Sequence, residues 1–398
     1  MSRRKGRYDR RKSEREAKLK ERNESVGTID TVFSFHIAYF HGVRCCRDTD
    51  WKCSVQNFKM HLFSGTAVRI RKMKQRKFKW GRFNHFVLRE RGKIRPIDAP
   101  HVVDRQMHKV ITKEILLPLY SPSMIYNNGA SMEGKGLAFA RQQLENDMHR
   151  HFRLYGLNGS IIISDFTGFF PNADREIIAQ RHDRYILDRR LRAVCDSVID
   201  SFPGTKGTLL GVEPSQVEMV SYPSALDNFM KCQLSLEGGG HYMDDNNWLI
   251  PPDLDPQRVL KLFMEFAADV LHIVVSERKT HIIPFGKPFR FCKAKYQIDE
   301  RGHILVNGNR DNAKRTRHKF YTFKDKIDRG EMTYIDLWSS VQGGFSYYEE
   351  FDDHGRIMTL RKAFYRVFGF SPEHYETFVL KERGRIDALH RTPQIQGC

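Results

Sequence analysis

Two adjacent carboxylates interrupt an apolar stretch in the sequence HYMDDNNWLI, residues 241–250. Asp244 and Asp245 carry like charges side by side, and such charges repel each other unless a cation holds them. A third carboxylate, Asp165, ends the short apolar stretch GSIIISD. An acidic pair on its own most often only caps a turn. Taken together, however, the three aspartates predict a site that holds divalent metal.

Strands must position these aspartates. GSIIISD has the pattern of a strand, while GGGHYM and NNWLI form a predicted hairpin whose turn carries Asp244 and Asp245. If these strands are neighbours in one sheet, carboxylates roughly 80 positions apart in the sequence converge at its edge. Their hard oxygen ligands suit Mg²⁺, with Mn²⁺ as an alternative. Two such ions can activate a 3′-hydroxyl and stabilise leaving pyrophosphate, so the arrangement predicts nucleotidyl transfer.

The charge of the chain predicts a polyanionic partner. Its 398 residues are 40% hydrophobic, enough for a sizeable core, and its formal net charge is +19. Nucleic acid is the partner that such a charge favours. The sequence has no long uncharged apolar stretch and no apolar core of a secretory signal near its N-terminus. We therefore expect a soluble, cytoplasmic protein without a membrane partner.

The densest basic run covers residues 69–95 and has aromatic residues interleaved with the cations. Its alternation predicts two short antiparallel strands that turn at Arg91 and Gly92. Cations on one face would meet phosphates, while the aromatic rings pack below them or stack on bases. The alternative is a solvated basic hairpin without a ligand.

A second candidate metal site involves three cysteines and three histidines near the N-terminal end. These are Cys45, Cys46, Cys53, His36, His41 and His61. No CxxC pair or other paired-ligand spacing is present, so the pattern disfavours a metal centre, and the remaining cysteines are expected to be reduced, buried side chains.

The aspartate motifs resemble those of reverse transcriptases. HYMDD is similar to the YxDD motif, and SDFTGFF resembles the aspartate motif that precedes it, in which an aromatic residue follows five positions after the metal ligand. That aromatic residue is Phe170. In the family it packs under the incoming sugar and excludes a 2′-hydroxyl, which implies selection of deoxynucleotides. The metal ligands that the resemblance implies are Asp165, Phe166, Asp244 and Asp245.

Further segments resemble bacterial reverse transcriptases in the family's order, over roughly residues 30–370. RGKIRPIDAP is similar to the fingers, ERKTHIIPF to a later lysine motif, FGKPFRFCKAKY to the primer-gripping hairpin, and the basic sequence from residue 310 to the helical thumb. The resemblance implies that Lys279 protonates departing pyrophosphate. The nucleotide contacts that it implies are Lys93, Arg95, Phe166, Phe170, Ser215 and Gln216.

One segment departs from the family pattern. In GVEPSQVEMV, Ser215 and Gln216 match a Ser-Gln pair that touches template and incoming base, but Glu213 and Glu218 intrude, and carboxylates there would repel phosphates. A hypothesis follows in which Glu218 accepts a hydrogen bond from a base amino group and biases which nucleotide is added. The product would then be repeat or homopolymer DNA made without a template or with protein bias.

The predicted fold class is α+β, a right-hand polymerase with fingers, a palm of antiparallel sheet backed by helices, and a helical thumb. The predicted domains are a basic N-terminal extension (1–29), N-terminal helices and fingers (30–158), palm (159–295), primer grip and thumb (296–375) and a C-terminal tail (376–398).

The predicted function is that of an RNA-directed DNA polymerase. Its expected partners are template or noncoding RNA, DNA product and dNTPs, with an accessory protein, a second polymerase subunit or a homo-oligomer as further candidates. The resemblance favours a role in bacterial anti-phage defence. An RNA-dependent RNA polymerase is disfavoured because Phe169 and Phe170 stand where such enzymes typically place a second aspartate. The alternative from another class is a catalytically silent scaffold that binds nucleic acid.

Overall fold

Two units make up the chain in the computed structural model, Met1–Phe285 and Gly286–Cys398. The structure describes residues 2–90 and 93–374. The predicted turn at Arg91 and Gly92 and the predicted tail 376–398 lie outside these ranges. In the described ranges, no helix combines the length and the apolar character that a membrane span requires.

The first unit begins with five helices, which lead into a hairpin. They are α1 (Ser2–Val26), α2 (Ile29–Val32), α3 (Phe35–Cys45), α4 (Cys53–Met60) and α5 (Leu62–Lys74), and the hairpin strands are β1 (Asn84–Glu90) and β2 (Lys93–Ala99). Antiparallel pairing of β1 with β2 confirms the predicted hairpin.

Helix α1 is rich in charged residues, and two features explain why it forms. Ion pairs at i,i+4 spacing, such as Arg10 with Glu14 and Lys20 with Glu24, stabilise an exposed helix modestly. Near its C-terminal end, the Asn23 amide group donates to the Tyr185 carbonyl oxygen at 3.1 Å. The basic N-terminal segment is therefore a helix anchored to the first unit.

A long helical stretch follows the hairpin. It comprises α6 (Val102–Val110), a π-helical turn (Ile111–Leu116), α7 (Leu117–Tyr120) and a 3₁₀ turn (Ser121–Ser123), and α8 (Leu137–Tyr155) comes next. Pro118 has no backbone N–H, so it cannot form the helical hydrogen bond to the carbonyl group one turn earlier. Such a missing bond is a known cause of local widening in a helix.

The central sheet contains the predicted strand and hairpin. Its order is β4-β5-β3-β6, all antiparallel, with β3 (Ser160–Asp165), β4 (Gly239–Tyr242), β5 (Asp245–Ile250) and β6 (His281–Pro284). Ile162 pairs directly with Trp248, and both side chains are fully buried. Burial of such large apolar side chains contributes about 1.5–3 kcal/mol each.

Two helices, α8 and α13 (Pro256–Leu271), pack against this sheet. The first unit also contains α9 (Arg175–Tyr185), α10 (Arg189–Asp200), α11 (Glu213–Ser221) and α12 (Ser224–Asn228), which a π-helical turn (Phe229–Gln233) extends. Asp174, Asp188 and Asp255 cap the N-termini of α9, α10 and α13 by accepting backbone N–H bonds, which typically stabilises a helix by about 1 kcal/mol. A 3₁₀ turn (Glu277–Lys279) precedes β6.

The second unit has its own sheet and its own core. The strands β7 (Phe289–Phe291), β8 (Ala294–Ile298) and β9 (Ile304–Gly308) pair antiparallel in that order, and α14 (Arg310–Asp328), α15 (Tyr334–Glu349) and α16 (His354–Phe368) follow. Phe320, Leu337 and Phe364 lie at the centre of the helices and are fully buried. The α+β class is thus confirmed, with an antiparallel sheet backed by helices. Strand β9 was not predicted.

The close approach of β4 to β5 requires glycine at position 239. Gly239 has φ +144°, and a Cβ there would collide with the Trp248 ring and lie 2.8 Å from the Asn247 carbonyl oxygen. We expect Gly239→Ala to lower the free energy of unfolding by about 3 kcal/mol, since overpacking and backbone strain add. Thermal unfolding followed by circular dichroism measures this loss.

Gly136→Ala is the matched control. Gly136 has extended backbone with φ 178°, and a Cβ there would meet nothing within 4 Å. Equal destabilisation by the two substitutions would contradict the explanation.

Candidate active site

The end of β3 and the start of β5 bring the three aspartates to one edge of the central sheet. Asp165 is the register partner of Asp245. Beyond that pair, the Phe166 N–H donates to the Asp244 carbonyl oxygen at 3.2 Å. The predicted convergence of distant carboxylates at a sheet edge is therefore present in the backbone pairing.

A tight turn presents the acidic pair. Tyr242 pairs with Asp245, so only Met243 and Asp244 form the connection between β4 and β5. Met243 has φ +56°, the left-handed conformation that two-residue hairpins need at their first central position. Asp244 consequently lies at the tip of the hairpin, beside the end of β3.

Lys279 reaches the same edge. Its Nζ donates to both carboxylate oxygens of Asp165, at 2.6 Å each. Backbone bonds hold its segment there, because the Ser276 N–H donates to the Asp165 carbonyl oxygen at 2.8 Å and the Thr167 N–H to the Val274 carbonyl oxygen at 2.8 Å. The lysine ammonium thus neutralises the Asp165 carboxylate, which is 8% exposed.

The electrostatics of Asp244 show that the acids interact. Burial raises the pKa of Asp244, and the negative charge of Asp165 raises it further, while Lys279 and Arg95 act in the opposite direction. Arg95 is an exposed residue of β2. Carboxylates and cationic side chains thus act on each other at the sheet edge that carries Asp165 and Asp244.

The donor chemistry of this edge fits a divalent metal ion. Carboxylate oxygens of Asp165, Asp244 and Asp245, with a backbone carbonyl such as that of Phe166, are the hard ligands that Mg²⁺ prefers. Two like charges raise each other's pKa, as the Asp244 carboxyl shows, and a divalent cation relieves this repulsion. In residues 2–90 and 93–374, no three His, Cys, Asp or Glu side chains have the arrangement of a metal cluster, and Lys279 pairs with Asp165 instead.

The predicted nucleotide-contacting residues differ in their accessibility. The Phe166 ring is buried, 1% exposed, and stacks on Phe169 at 5.3 Å, so only its backbone faces the site. Phe170 is half-buried, and its carbonyl oxygen accepts the Thr208 N–H at 2.9 Å.

The other predicted contacts lie on β2 and α11. Ser215 is fully buried near the start of α11, whereas Gln216 is exposed. Lys93 begins β2, but its side chain lies outside the part of the structure that is described. Asp98 of the same strand donates its N–H to the Leu210 carbonyl oxygen at 3.0 Å, which ties the hairpin to the segment before α11.

Glu218 does not occupy the position that the base-biasing hypothesis needs. Its carboxylate is 1% exposed and accepts from His182 Nε2 at 2.8 Å, while His182 Nδ1 bonds Asp196 at 2.6 Å. Glu213, the other unexpected carboxylate, pairs with Lys109 at 3.0 Å. Both carboxylates have cationic partners within the protein, which removes the reason to expect that this segment repels phosphates.

Two further buried polar pairs support the hairpin, and sequence reasoning missed them. His241 Nε2 lies 3.0 Å from Asp227, and Asp147 accepts the Gly239 N–H at 2.9 Å. His241 belongs to the HYMDD motif, but nothing in the sequence marks Asp227 as its partner or Asp147 as the partner of Gly239. A histidine within a predicted strand was the one sequence feature that pointed to a buried polar pair.

The cysteine and histidine group does not form a metal centre in the described residues. Cys45 and Cys46 are buried, and Cys46 Sγ donates to the Gly42 carbonyl oxygen at 3.4 Å. His41 pairs with Glu114 at 2.7 Å. Cys53, by contrast, is exposed.

Comparisons with known proteins give structural neighbours only. No family model matches the sequence, and no curated protein matches it. Telomerase from Candida albicans, in a complex with a TWJ fragment of telomeric RNA, is similar over 78% of this chain with 10% identity and a TM-score of 0.47. Apo telomerase from Candida tropicalis, truncated from its C-terminal domain, is similar over 63% with 12% identity and a TM-score of 0.44. The chain covers 56% and 60% of those proteins.

The buried pair of His182 and Glu218, with the partly exposed Asp196, predicts a pH dependence of stability. Burial alone would lower the pKa of His182, but the two carboxylates outweigh it and raise this pKa from 6.5 to about 9. The resulting stabilisation is fully present below about pH 6.5 and is lost as pH rises through about 9. We expect a loss on the order of 3 kcal/mol across this range, measured by chemical unfolding at each pH.

His182→Gln should reduce this pH dependence, because it removes the titrating group. His36→Gln, which changes an exposed histidine, should retain the wild-type dependence. A wild-type stability that stays constant from pH 6.5 to 9 would show that His182 is not charged by its carboxylate partners.

Proposed function

We propose that this chain is a reverse transcriptase, an RNA-directed DNA polymerase that adds dNTPs to a 3′-hydroxyl by two-metal nucleotidyl transfer. The observation that carries the proposal is the register pairing of Asp165 with Asp245 and the contact of Phe166 with Asp244, which gather three acids at one sheet edge beside Lys279. Template RNA, DNA product and dNTPs are the proposed partners.

The acidic and the cationic side chains of the site have different proposed roles. Asp165, Asp244 and Asp245 would hold Mg²⁺, which when bound supplies activation of the 3′-hydroxyl and stabilisation of the leaving pyrophosphate. Lys279 keeps a proton on Nζ beside Asp165 and can deliver it to a departing phosphate oxygen. Arg95 adds positive charge for the triphosphate, since its field reaches Asp244.

The sugar selectivity of this polymerase would depend on Phe170. Its half-buried ring makes an edge contact with Phe169 at 6.0 Å, which limits its movement. A ring without a polar group excludes a 2′-hydroxyl by its bulk and offers no hydrogen bond in compensation. Deoxynucleotides are therefore the proposed substrates.

The proposed biological setting is anti-phage defence in the bacterial cytoplasm with a dedicated noncoding RNA. It rests on the resemblance of the fingers to those of bacterial reverse transcriptases and on the unusual segment around Ser215 and Gln216, and it is an analogy of sequence. Sequencing of nucleic acid that copurifies with the chain from a bacterial host tests it, because template and product would be recovered together.

Removal of single carboxylates tests the catalytic proposal. We expect Asp165→Asn and Asp244→Asn each to lower primer extension at least about 100-fold, because each removes charge that stabilises the transition state. Extension is measured with Mg²⁺ and dNTPs on an RNA template, on a DNA template and without template. Asp253→Asn, a change at an exposed aspartate in the loop after β5, should leave the rate unchanged.

The absence of incorporation by the wild-type chain under all three template conditions would favour the silent scaffold. Incorporation without template would favour the template-independent alternative.

Replacement of Phe170 tests sugar selection. Phe170→Ala should raise incorporation of ribonucleotides relative to deoxynucleotides by about tenfold or more, because the cavity it leaves admits a hydroxyl. Single-nucleotide extension with matched rNTP and dNTP measures the ratio. Phe229→Ala is the control, since Phe229 is likewise half-buried and stacks on Phe266 at 4.6 Å. An equal change in both variants would indicate a general loss of packing.

A further inference from the structure

A basic cavity lies in the first unit and shares no lining residue with the carboxylate site. Its volume is about 900 Å³, and its walls are α5, the segment between α5 and β1, and the start of α6. Five cationic side chains line it, namely Arg69, Lys72, Lys77, Lys79 and Arg82.

The segment between α5 and β1 directs its cations into the cavity. It alternates exposed basic residues, among them Lys77 and Lys79, with half-buried aromatic ones. Trp80 holds this segment against the first unit, because its Nε1 donates to Ser197 Oγ at 3.1 Å and its indole ring stacks on His108 at 4.6 Å. Phe78 lines the cavity together with its neighbours Lys77 and Lys79.

These cations have little negative charge to balance them. The acidic side chain that lines the cavity, Asp104, is 5% exposed and accepts the Gly81 N–H at 2.9 Å. In the part of the chain that the structure describes, none of the five cations forms an ion pair with a carboxylate.

Arg69 is held in place beside this space. Its guanidinium lies 5.0 Å from the Phe58 ring centroid, and its Nε is buried without a hydrogen-bond partner among the described residues. Clustered cations in a concave wall raise the local concentration of polyanions, and guanidinium groups suit phosphate.

We propose that this basic cavity binds a segment of single-stranded nucleic acid, with phosphates against the cations and a base against Phe78. The volume lies within the range of pockets that enclose small ligands, so the cavity admits one or two nucleotides of a strand. Base stacking on an aromatic ring tolerates any sequence. The inference rests on the proposed function for the identity of the strand, which is template RNA or DNA product.

The cavity holds the strand away from the reacting atoms, so its effect is on binding. We test it with the full chain carrying Lys77→Gln, Lys79→Gln and Arg82→Gln together, because these side chains lie on an exposed segment. Labelled single-stranded RNA and DNA of one sequence are titrated by fluorescence anisotropy in EDTA, without nucleotide. We expect Kd to rise about tenfold at low salt and the slope of log K against log salt to become shallower by about 2.

The matched control removes the same charge from other exposed positions through Lys206→Gln, Arg258→Gln and Lys261→Gln. It should bind as the wild type does. Equal weakening in both triple variants would reduce the effect to net charge, and an unchanged Kd in the cavity variant would also overturn the proposal. Weaker binding of a nucleoside triphosphate by the cavity variant, with the binding of both strands unchanged, would overturn it in favour of a free-nucleotide site.

The two oligonucleotides distinguish the sources of the strand. Tighter binding of RNA assigns the cavity to the template, and tighter binding of DNA assigns it to the product. Because the titrations need neither metal nor catalysis, the failure of primer extension would refute the proposed polymerase without affecting this result.

Discussion

The antiparallel pairing of β3 with β5 is the constraint on which the site depends. Its register places Asp165 opposite Asp245, and the same ladder pairs Ile162 with Trp248 inside the core. Because side chains alternate between the two faces of a strand, a slip by one residue would move the carboxylate and the buried side chains to the wrong faces together. The apolar burial that stabilises the sheet therefore also positions the acids.

The pairing brings like charges together, and the rest of the site compensates for this repulsion. Lys279 provides a cation, and it reaches Asp165 through a segment that is itself hydrogen-bonded to the end of β3. The Lys279 side chain is 48% exposed, so solvent screens this ion pair and its contribution to stability is modest. The pair therefore balances charge at this edge more than it stabilises the fold.

Charge is distributed differently in the interior and on the surface. The interior carboxylates Glu218 and Asp227 each have a histidine partner. On the basic wall between α5 and β1, by contrast, cations face a cavity without ion pairs among the described residues. Part of the net charge of +19 therefore lines a concave surface of the first unit.

The sequence by itself determined the features that depend on neighbours along the chain. Period-two alternation predicted the hairpin of β1 and β2, and an acidic pair between two short apolar stretches predicted the turn at Asp244. These predictions succeed because strand alternation and turn conformation are local properties. A strand such as β9, with mixed burial and no adjacent motif, has no equally clear local pattern.

Only the tertiary structure decided which charge pairs with which. The sequence suggested that Glu218 contacts a nucleotide base, yet its partner is His182, which lies 36 positions away in the sequence and inside the core. Lys279 meets Asp165 across 114 positions, and the basic cavity combines two helices with an extended segment. Pairing over such separations depends on how the elements pack, because the free energy of a buried charge is set by its surroundings in space.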